Sequence, residues 1–491
     1  MNLNYRAISN IIGRILMVIS ATFALPVIVS FIYSEYSNAF TFLKIAVAVF
    51  IAGFILRISI KPSAGPIRIR EGFFIVSLIW ILFPLIGALP FVISGDIPNF
   101  ADAVFESCSG FSTTGATILT DVEDMSQGML FWRSFTHWLG GMGILILAVS
   151  ILPALGIGGQ NIAKAETPAP KVDKLSNRIS DSARILYIMY LMLSLIEFIL
   201  LMFNRKVTVF DALVNTLSTI STSGIITHEA GLAFYESFYV EMVITVFTIF
   251  ASINFNLYYF LLNRRIKEFF GNTELRAFLG IVGVVTVIIT VNLWINGIYG
   301  GLFSSLRYAF IQVVSFISTS GFTFTNFMTW PVLSKLLLFM LMFIGGCAAS
   351  TGGGIKVIRI VVMMKLIFRG FKRRIHPRSV VAVKIGGKAV SGPMVSQIST
   401  FILVYSLIYI VSCIILSLNN LDFETTLTTA AGIMSNSGIG MGMFGIEGNL
   451  SMFNSGSQLF MSLLMLIGRL ELFTLLFLFV PSFWNPNRQK N

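Results

Sequence analysis

Ser112-Thr113-Thr114-Gly115, Ser221-Thr222-Ser223-Gly224, Ser318-Thr319-Ser320-Gly321 and Ser435-Asn436-Ser437-Gly438 are four versions of one small-polar tetrad closed by glycine. Each follows an apolar segment of about eleven residues and precedes a much longer one. That is the layout of a pore loop. Four such segments converging on one axis would present a ring of backbone carbonyls and hydroxyls to a dehydrated cation. Glycine reaches the backbone angles that turn a carbonyl inward without steric cost. One Ser-Thr-Ser-Gly is commonplace in loops, but four at the same place in four similar units specify an architecture.

The surroundings are those of a polytopic membrane protein. Of 491 residues, 56% are hydrophobic and 11% charged, and the mean hydropathy is +0.85; soluble domains of this size do not approach such values. The net charge of +12 falls almost entirely in short segments between spans, which points to positive-inside topology rather than nucleic-acid binding. The three cysteines, Cys108, Cys347 and Cys413, are far apart and form no disulfide framework or metal spacing. The N-terminus, with Arg6 and Arg14 before an apolar run and no small-residue cleavage site, reads as an uncleaved first span.

Counting spans at roughly 20 residues each gives a hairpin, Ile11 to Tyr33 and Phe40 to Ile60, followed by four units of span, short helix, tetrad and span. The units are Phe73 to Ile93, Ala101 to Phe111 and Phe131 to Leu152; Ile185 to Phe203, Phe210 to Ile220 and Phe238 to Leu262; Phe278 to Ile295, Arg307 to Ile317 and Pro331 to Phe368; and Ile398 to Leu418, Glu424 to Met434 and Leu459 to Val480. The expected fold is all-α: a two-helix hairpin (1–66) and four parallel repeats (67–165, 166–270, 271–388 and 389–491) around one pseudo-fourfold pore. Ten spans put both termini and every basic linker in the cytoplasm. The opposite loops hold Asp96, Asp121, Glu123, Asp124, Glu229, Glu236, Asp422 and Glu447, which would draw cations to an outer vestibule. Each short helix would point its partly negative C-terminal end at the ion. Asp102, Asp211 and Glu424 near the N-terminal ends agree with that direction, and Arg307 does not.

Two features bear on control of the flow. The run Pro331 to Phe368 is nearly twice the length of one span, and its middle is Gly345-Gly346-Cys347-Ala348-Ala349-Ser350-Thr351-Gly352-Gly353-Gly354. So many glycines disfavour a plain helix, and non-helical backbone at membrane depth must be buried in protein or wetted. A broken helix with a gate loop under the filter is the expectation, and a close-packing site for a neighbouring helix is the alternative. Lys356, just after the loop, would anchor it or repel waiting cations. Arg469 is the one basic residue deep in an expected span, so it should face the bundle or a wet cavity. Bracing the filter, projecting beneath it as a fixed charge, and pairing with an acid are its three open roles.

His137 reads as a core histidine, and Gly140, Gly141 and Gly143 as packing residues beside the first tetrad. No metal-ligand spacing, paired catalytic carboxylates or phosphate-cradling loop is present in the sequence, so an enzyme reading lacks support and no cofactor is implied. A proton- or sodium-coupled symporter is the second hypothesis, with Glu197 the clearest acid inside a span. A structural or receptor protein would leave the four tetrads unexplained.

Four span–pore-loop–span units, one glycine per filter segment, a glycine-rich interruption in the third unit and an arginine in the fourth unit's second span together resemble the Trk/Ktr/HKT superfamily of potassium transporters. The hairpin and Trp138-Leu139-Gly140-Gly141-Met142-Gly143 are similar to its bacterial Trk membrane-subunit branch. The resemblance covers essentially the whole chain. It implies potassium uptake across the inner membrane, a homodimer with one pore per subunit, and gating by cytoplasmic TrkA-like nucleotide-binding subunits. It carries the potassium filter onto Thr114, Gly115, Ser223, Gly224, Ser320, Gly321, Ser437 and Gly438. It carries the gate onto Gly345, Gly346, Gly352, Gly353, Gly354 and Lys356, with Arg469 as the filter-proximal arginine. Glycine in all four units implies preference for potassium over sodium, and Asn436, where the other tetrads have Thr, implies tuned selectivity.

Overall fold

The computed structural model describes residues 3–59, 69–143, 179–228, 231–379, 381–445 and 449–484. The linker expected across 161–184, the far end of the first repeat's second span, Glu229 and Glu447 lie wholly or partly outside the described residues.

Helices α1 (Tyr5–Thr22), α2 (Ala24–Ile32) and α3 (Tyr36–Ser59) form the N-terminal hairpin. Gly13 of α1 and Gly53 of α3 cross so closely that a Cβ on Gly13 would lie 2.7 Å from the Gly53 carbonyl oxygen, the close approach that small residues permit between membrane helices. Phe40, Ile51, Ile55 and Ile58 remain exposed, as an apolar solvent allows. Glu35 joins the hairpin to the rest by accepting bonds from the Gln127 and Gly128 backbone N–H groups at 2.8 and 2.9 Å, where a carboxylate stabilises the start of a helix.

The remaining elements follow the expected order. They are α4 (Ile69–Ser94), α5 (Phe100–Phe111) and α6 (Gln127–Gly141); α7 (Ile179–Leu201), α8 (Val209–Ile220), α9 (Phe238–Ser252), α10 (Phe255–Leu262) and the short α11 (Ile266–Gly271); α12 (Thr273–Ile295), α13 (Leu302–Ile317), α14 (Val332–Phe343) and α15 (Val357–Ile375); and α16 (Gly392–Ser417), α17 (Phe423–Met434), α18 (Ser455–Arg469), α19 (Phe473–Leu476) and α20 (Pro481–Trp484). Between α15 and α16 the strands Lys384–Ile385 and Lys388–Ala389 pair antiparallel. Gly386 and Gly387, both at positive φ, turn the two-residue hairpin.

Among the described residues five helices are long and apolar enough to cross a membrane, and seven if each sharply bent pair counts as one span. The other expected spans are α6, which runs up to undescribed residues, α7, and α14, which the glycine-rich segment interrupts.

Two second spans expected to be continuous are broken. α9 and α10 meet at 98°, and α18 and Phe473–Phe479 at 114°. At the first break Asn254 caps α10 with its side chain. At the second, Glu471 and Leu472 both take positive φ, 53° and 67°, which no continuing helix can hold. The first break, Ser252–Asn254, interrupts the apolar run only with Ser252 and Asn254, so apolar content conceals the bend; at the second Arg469 and Glu471 interrupt it. α13 also starts earlier than expected, at Leu302, which puts Arg307 inside the helix rather than at its end.

Candidate functional site

The four short helices α5, α8, α13 and α17 end in one backbone motif. Ser112, Ser221, Ser318 and Ser435 cap them in helical geometry. The next residue in each case is left-handed: Thr113 (φ 58°), Thr222 (54°), Thr319 (59°) and Asn436 (57°). The third residue's N–H reaches back to the helix, Thr114 to Ser109, Ser223 to Ser218, Ser320 to Ser315 and Ser437 to Gly432, at 2.9–3.0 Å. This is a Schellman cap, made without the glycine that usually occupies its left-handed position. A β-branched threonine there is strained, by about 1–3 kcal/mol per residue, so the surrounding contacts must over-determine the turn. Asn436 tolerates left-handed angles better. Its Nδ2 also donates to Thr114 Oγ1 at 3.0 Å and to the Met465 carbonyl at 2.8 Å. The departure in the fourth tetrad therefore ties it to the first tetrad and to α18.

The fourth tetrad residues Gly115, Gly224, Gly321 and Gly438 have φ of 80°, 70°, 72° and 59°. A Cβ on each would overlap a carbonyl oxygen of another tetrad: Ser223 for Gly115, Ser320 for Gly224, Ser437 for Gly321 and Thr114 for Gly438. The contacts run from the first segment to the second, third and fourth and back to the first, a closed ring. The eight sequence-derived filter residues thus meet in one place, and all four glycines line one cavity with about 470 Å³ of water-accessible space.

Behind the ring, polar side chains hold the chain that follows each tetrad to its own short helix. Glu106 accepts from Thr117 Oγ1 and Ile118 N at 3.1 and 3.3 Å. Asp211 accepts from Thr227 Oγ1 at 3.0 Å, Ser315 donates to the Phe322 carbonyl at 2.7 Å, and Thr428 accepts from Met441 N at 2.9 Å.

Acids stand in the first turns of α5, α8 and α17. Hydrogen bonds from Thr425 to Asp422, the cap of α17, hold its carboxyl below its ordinary value. The exception, Arg307, is answered by Glu241 of α9, which it contacts at 2.6 Å. Arg307→Met is expected to leave a buried carboxylate unpaired and lower thermal stability by about 1–3 kcal/mol. Adding Glu241→Gln should recover most of that loss in a thermal-shift measurement.

The glycine-rich segment between α14 and α15 lies against the opposite, Ser-Thr side of the tetrads. Gly353 N donates to Thr319 Oγ1 at 2.7 Å, and a Cβ on Gly353 would overlap the Ser435 carbonyl oxygen. Thr222 Oγ1 and Thr351 Oγ1 are 3.3 Å apart. Gly345 and Gly354 pack together at the base of the loop, and Gly346 packs on Ser252 at the break after α9. Lys356 donates its Nζ to the Gly352 carbonyl, the contact that the anchoring role calls for. A second cavity, with about 130 Å³ of water-accessible space, is lined by Ala349 to Gly354, Lys356 and Arg469.

Arg469 ends α18 at the break rather than sitting within a continuous span. It donates to the Thr351 carbonyl at 2.6 Å and to the Gly140 and Gly141 carbonyls at 2.5 and 2.8 Å. It therefore joins the loop to the end of α6, beside the tetrads. Gly140 packs on Phe111 next to the first tetrad, and Gly141 on Ser221 of the second. His137 is buried beside them. Glu471, two residues beyond Arg469, pairs with Arg359 of α15, whose guanidinium also lies 3.9 Å from the centre of the Phe401 ring.

Comparison with known proteins decides the family. A family model described as TrkH, cation transport protein, matches residues 38–486. The chain belongs to the TrkH family. The Trk system potassium uptake protein TrkH of Salmonella typhimurium is 37% identical over 98% of this chain and 100% of its own. TrkG of Escherichia coli K12 is 32% identical, covering 98% of both chains. The crystal structure of the potassium transporter TrkH from Vibrio parahaemolyticus superimposes with a TM-score of 0.88 at 32% identity, over 98% of this chain and 100% of that one. The family is one of transporters rather than enzymes. Among the described residues no cluster of His, Cys, Asp or Glu could hold a metal ion.

The sequence did not point to Glu106, Glu241 or the Arg359–Glu471 pair. One signal was available for Glu106: at its offset before the tetrad glycine the other short helices carry Asn215, Gln312 and Thr429, polar residues in apolar segments, and all four are buried.

Proposed function

We propose that this chain takes up potassium across the cytoplasmic membrane through a channel-like pore whose selectivity filter is the ring of four tetrads. The observation that carries the reading is the closed set of contacts from Gly115, Gly224, Gly321 and Gly438 to the next segment's carbonyls, around one cavity. Carbonyls held in a ring can replace the hydration shell of a potassium ion. Family membership supports the cargo, since the relatives are named as potassium uptake proteins.

In this mechanism the chain supplies fixed dipoles and strained turns. The strained second residue and the glycine of each tetrad set the carbonyls, and the short helices direct their negative ends to the same place. Gly345 to Gly354, pinned by Lys356 and Arg469, is the gate: it packs on the tetrads from the side opposite the vestibule. Four parallel repeats after a hairpin, cytoplasmic termini, a homodimer in the lipid bilayer and a TrkA-like nucleotide-binding subunit acting on the gate complete the reading. The symporter alternative gains little, because Glu197, though buried in α7, lines neither cavity.

Rubidium flux into proteoliposomes holding the purified chain, with sodium as competitor and pH recorded, tests the proposal. Flux that follows the rubidium gradient, resists sodium and moves no protons is expected. Flux strictly tied to proton or sodium movement would replace the channel with a symporter.

A further inference from the structure

We infer that Glu106 and Arg133 form a charge-balanced clamp that positions the first filter segment and sets the affinity of the outer vestibule for cations. This deepens the potassium-pore reading and rests on it. Glu106 lies in α5 and Arg133 in α6; they are 1% and 3% exposed. Arg133 Nε donates to Glu106 Oε1 at 2.5 Å. Oε2 of the same carboxylate accepts from Thr117 Oγ1 and from Ile118 N, so one acid holds both the arginine and the second and third residues after the filter glycine.

The position of the pair gives it a role beyond packing. Thr117 and Arg133 line the same cavity as Gly115, Gly224, Gly321 and Gly438, where an arriving cation would sit. An arginine there repels cations unless its charge is balanced. The short helices carry neutral Asn215, Gln312 and Thr429 at the equivalent offset, so the first repeat alone places a charge there. Glu106 therefore does two jobs at once: it fixes the Thr117–Ile118 backbone and cancels the arginine's field.

The two halves of the pair have opposite electrostatic signs, and this separates a charge role from a merely structural one. Glu106→Gln leaves an uncompensated guanidinium by the vestibule and should raise the rubidium concentration for half-maximal flux by about fivefold or more, given how strongly close charges interact in a partly dry site. Arg133→Gln leaves an uncompensated carboxylate and should lower the same quantity. The double variant restores neutrality, removes the buried charges altogether so that folding is less burdened, and should return half-saturation to within about twofold of the parent.

The experiment is concentration-dependent rubidium flux into proteoliposomes for the parent, both single variants and the double, each first checked as monodisperse by size exclusion. Shifts of opposite sign in the single variants, cancelling in the double, are the expected result. If only one single variant is recovered folded, its shift and the double's return decide the matter. Half-saturation that moves in one direction for all variants, or that stays fixed while only maximal flux falls, would overturn the inference. The parent's own rubidium-over-sodium flux, measured on the same vesicles, reports separately on the pore reading.

Discussion

Gly438→Ser is expected to cut the preference for potassium over sodium by about tenfold or more, the change that a disturbance of about 1.4 kcal/mol produces. Gly438 takes φ 59°, where an L side chain costs roughly 1–2 kcal/mol. The new Cβ would also meet the Thr114 carbonyl oxygen, and Ala116 N and Gly115 C at 2.6 Å. All of these are backbone atoms of the first tetrad or its neighbour, so no flexible side chain can move aside. The ring must open or the turn must change, and either displaces the carbonyls proposed to set selectivity. The effect should fall on the sodium-to-potassium ratio more than on expression, because the tetrads are also held from behind by Asn436 and Thr428. Rubidium flux measured against rising sodium checks this. Unchanged competition from a folded protein would remove Gly438 from the filter.

Lys356→Met should raise rubidium flux through the isolated chain about tenfold or more. The lysine donates to the Gly352 carbonyl while buried beneath the tetrads. A hydrogen bond from a charged group contributes about 1.5–3 kcal/mol, and a change of that size in one of two states shifts their ratio by about ten- to a hundredfold. The bond holds Gly352 beside the Ser318 carbonyl, so on the proposed gating losing it weakens the closed arrangement in particular. Deleting Gly352 to Gly354 should likewise raise leak, since it removes Gly353's contacts with Thr319 and Ser435. Lower flux from folded protein in both variants would assign the loop to packing between helices instead of gating.

The convergence of the four tetrads and the interruption at the glycine-rich loop were legible in the sequence for one physical reason: small polar residues and glycine are conspicuous in an apolar chain. Gly345 to Gly354 stood out in the same way, and the structure interrupts the helix there. The break at Ser252–Asn254 was not legible, because a bent span stays as apolar as a straight one and the break contains neither glycine nor proline. At Leu470–Leu472 the charges Arg469 and Glu471 were conspicuous but do not by themselves say that the helix turns. Arg469 was conspicuous as a charge, yet its partners are backbone carbonyls of Thr351, Gly140 and Gly141, groups that every residue carries. Arg307 read as an anomaly because Glu241 lies in a different unit of the chain and only folding brings the two together. Left-handed threonines at 113, 222 and 319 were also out of reach, since propensity argues against them and only the surrounding packing imposes them.

The most direct test of the four-tetrad filter is the zero-current potential across a bilayer containing the chain, with potassium chloride on one side and an equal concentration of sodium chloride on the other at the same pH. A selective filter predicts that the potassium side becomes negative, by an amount that falls as sodium on the opposite side is replaced with potassium and is unmoved by a pH step. A conducting chain with a zero-current potential near zero, or one that follows the pH step instead, would contradict it.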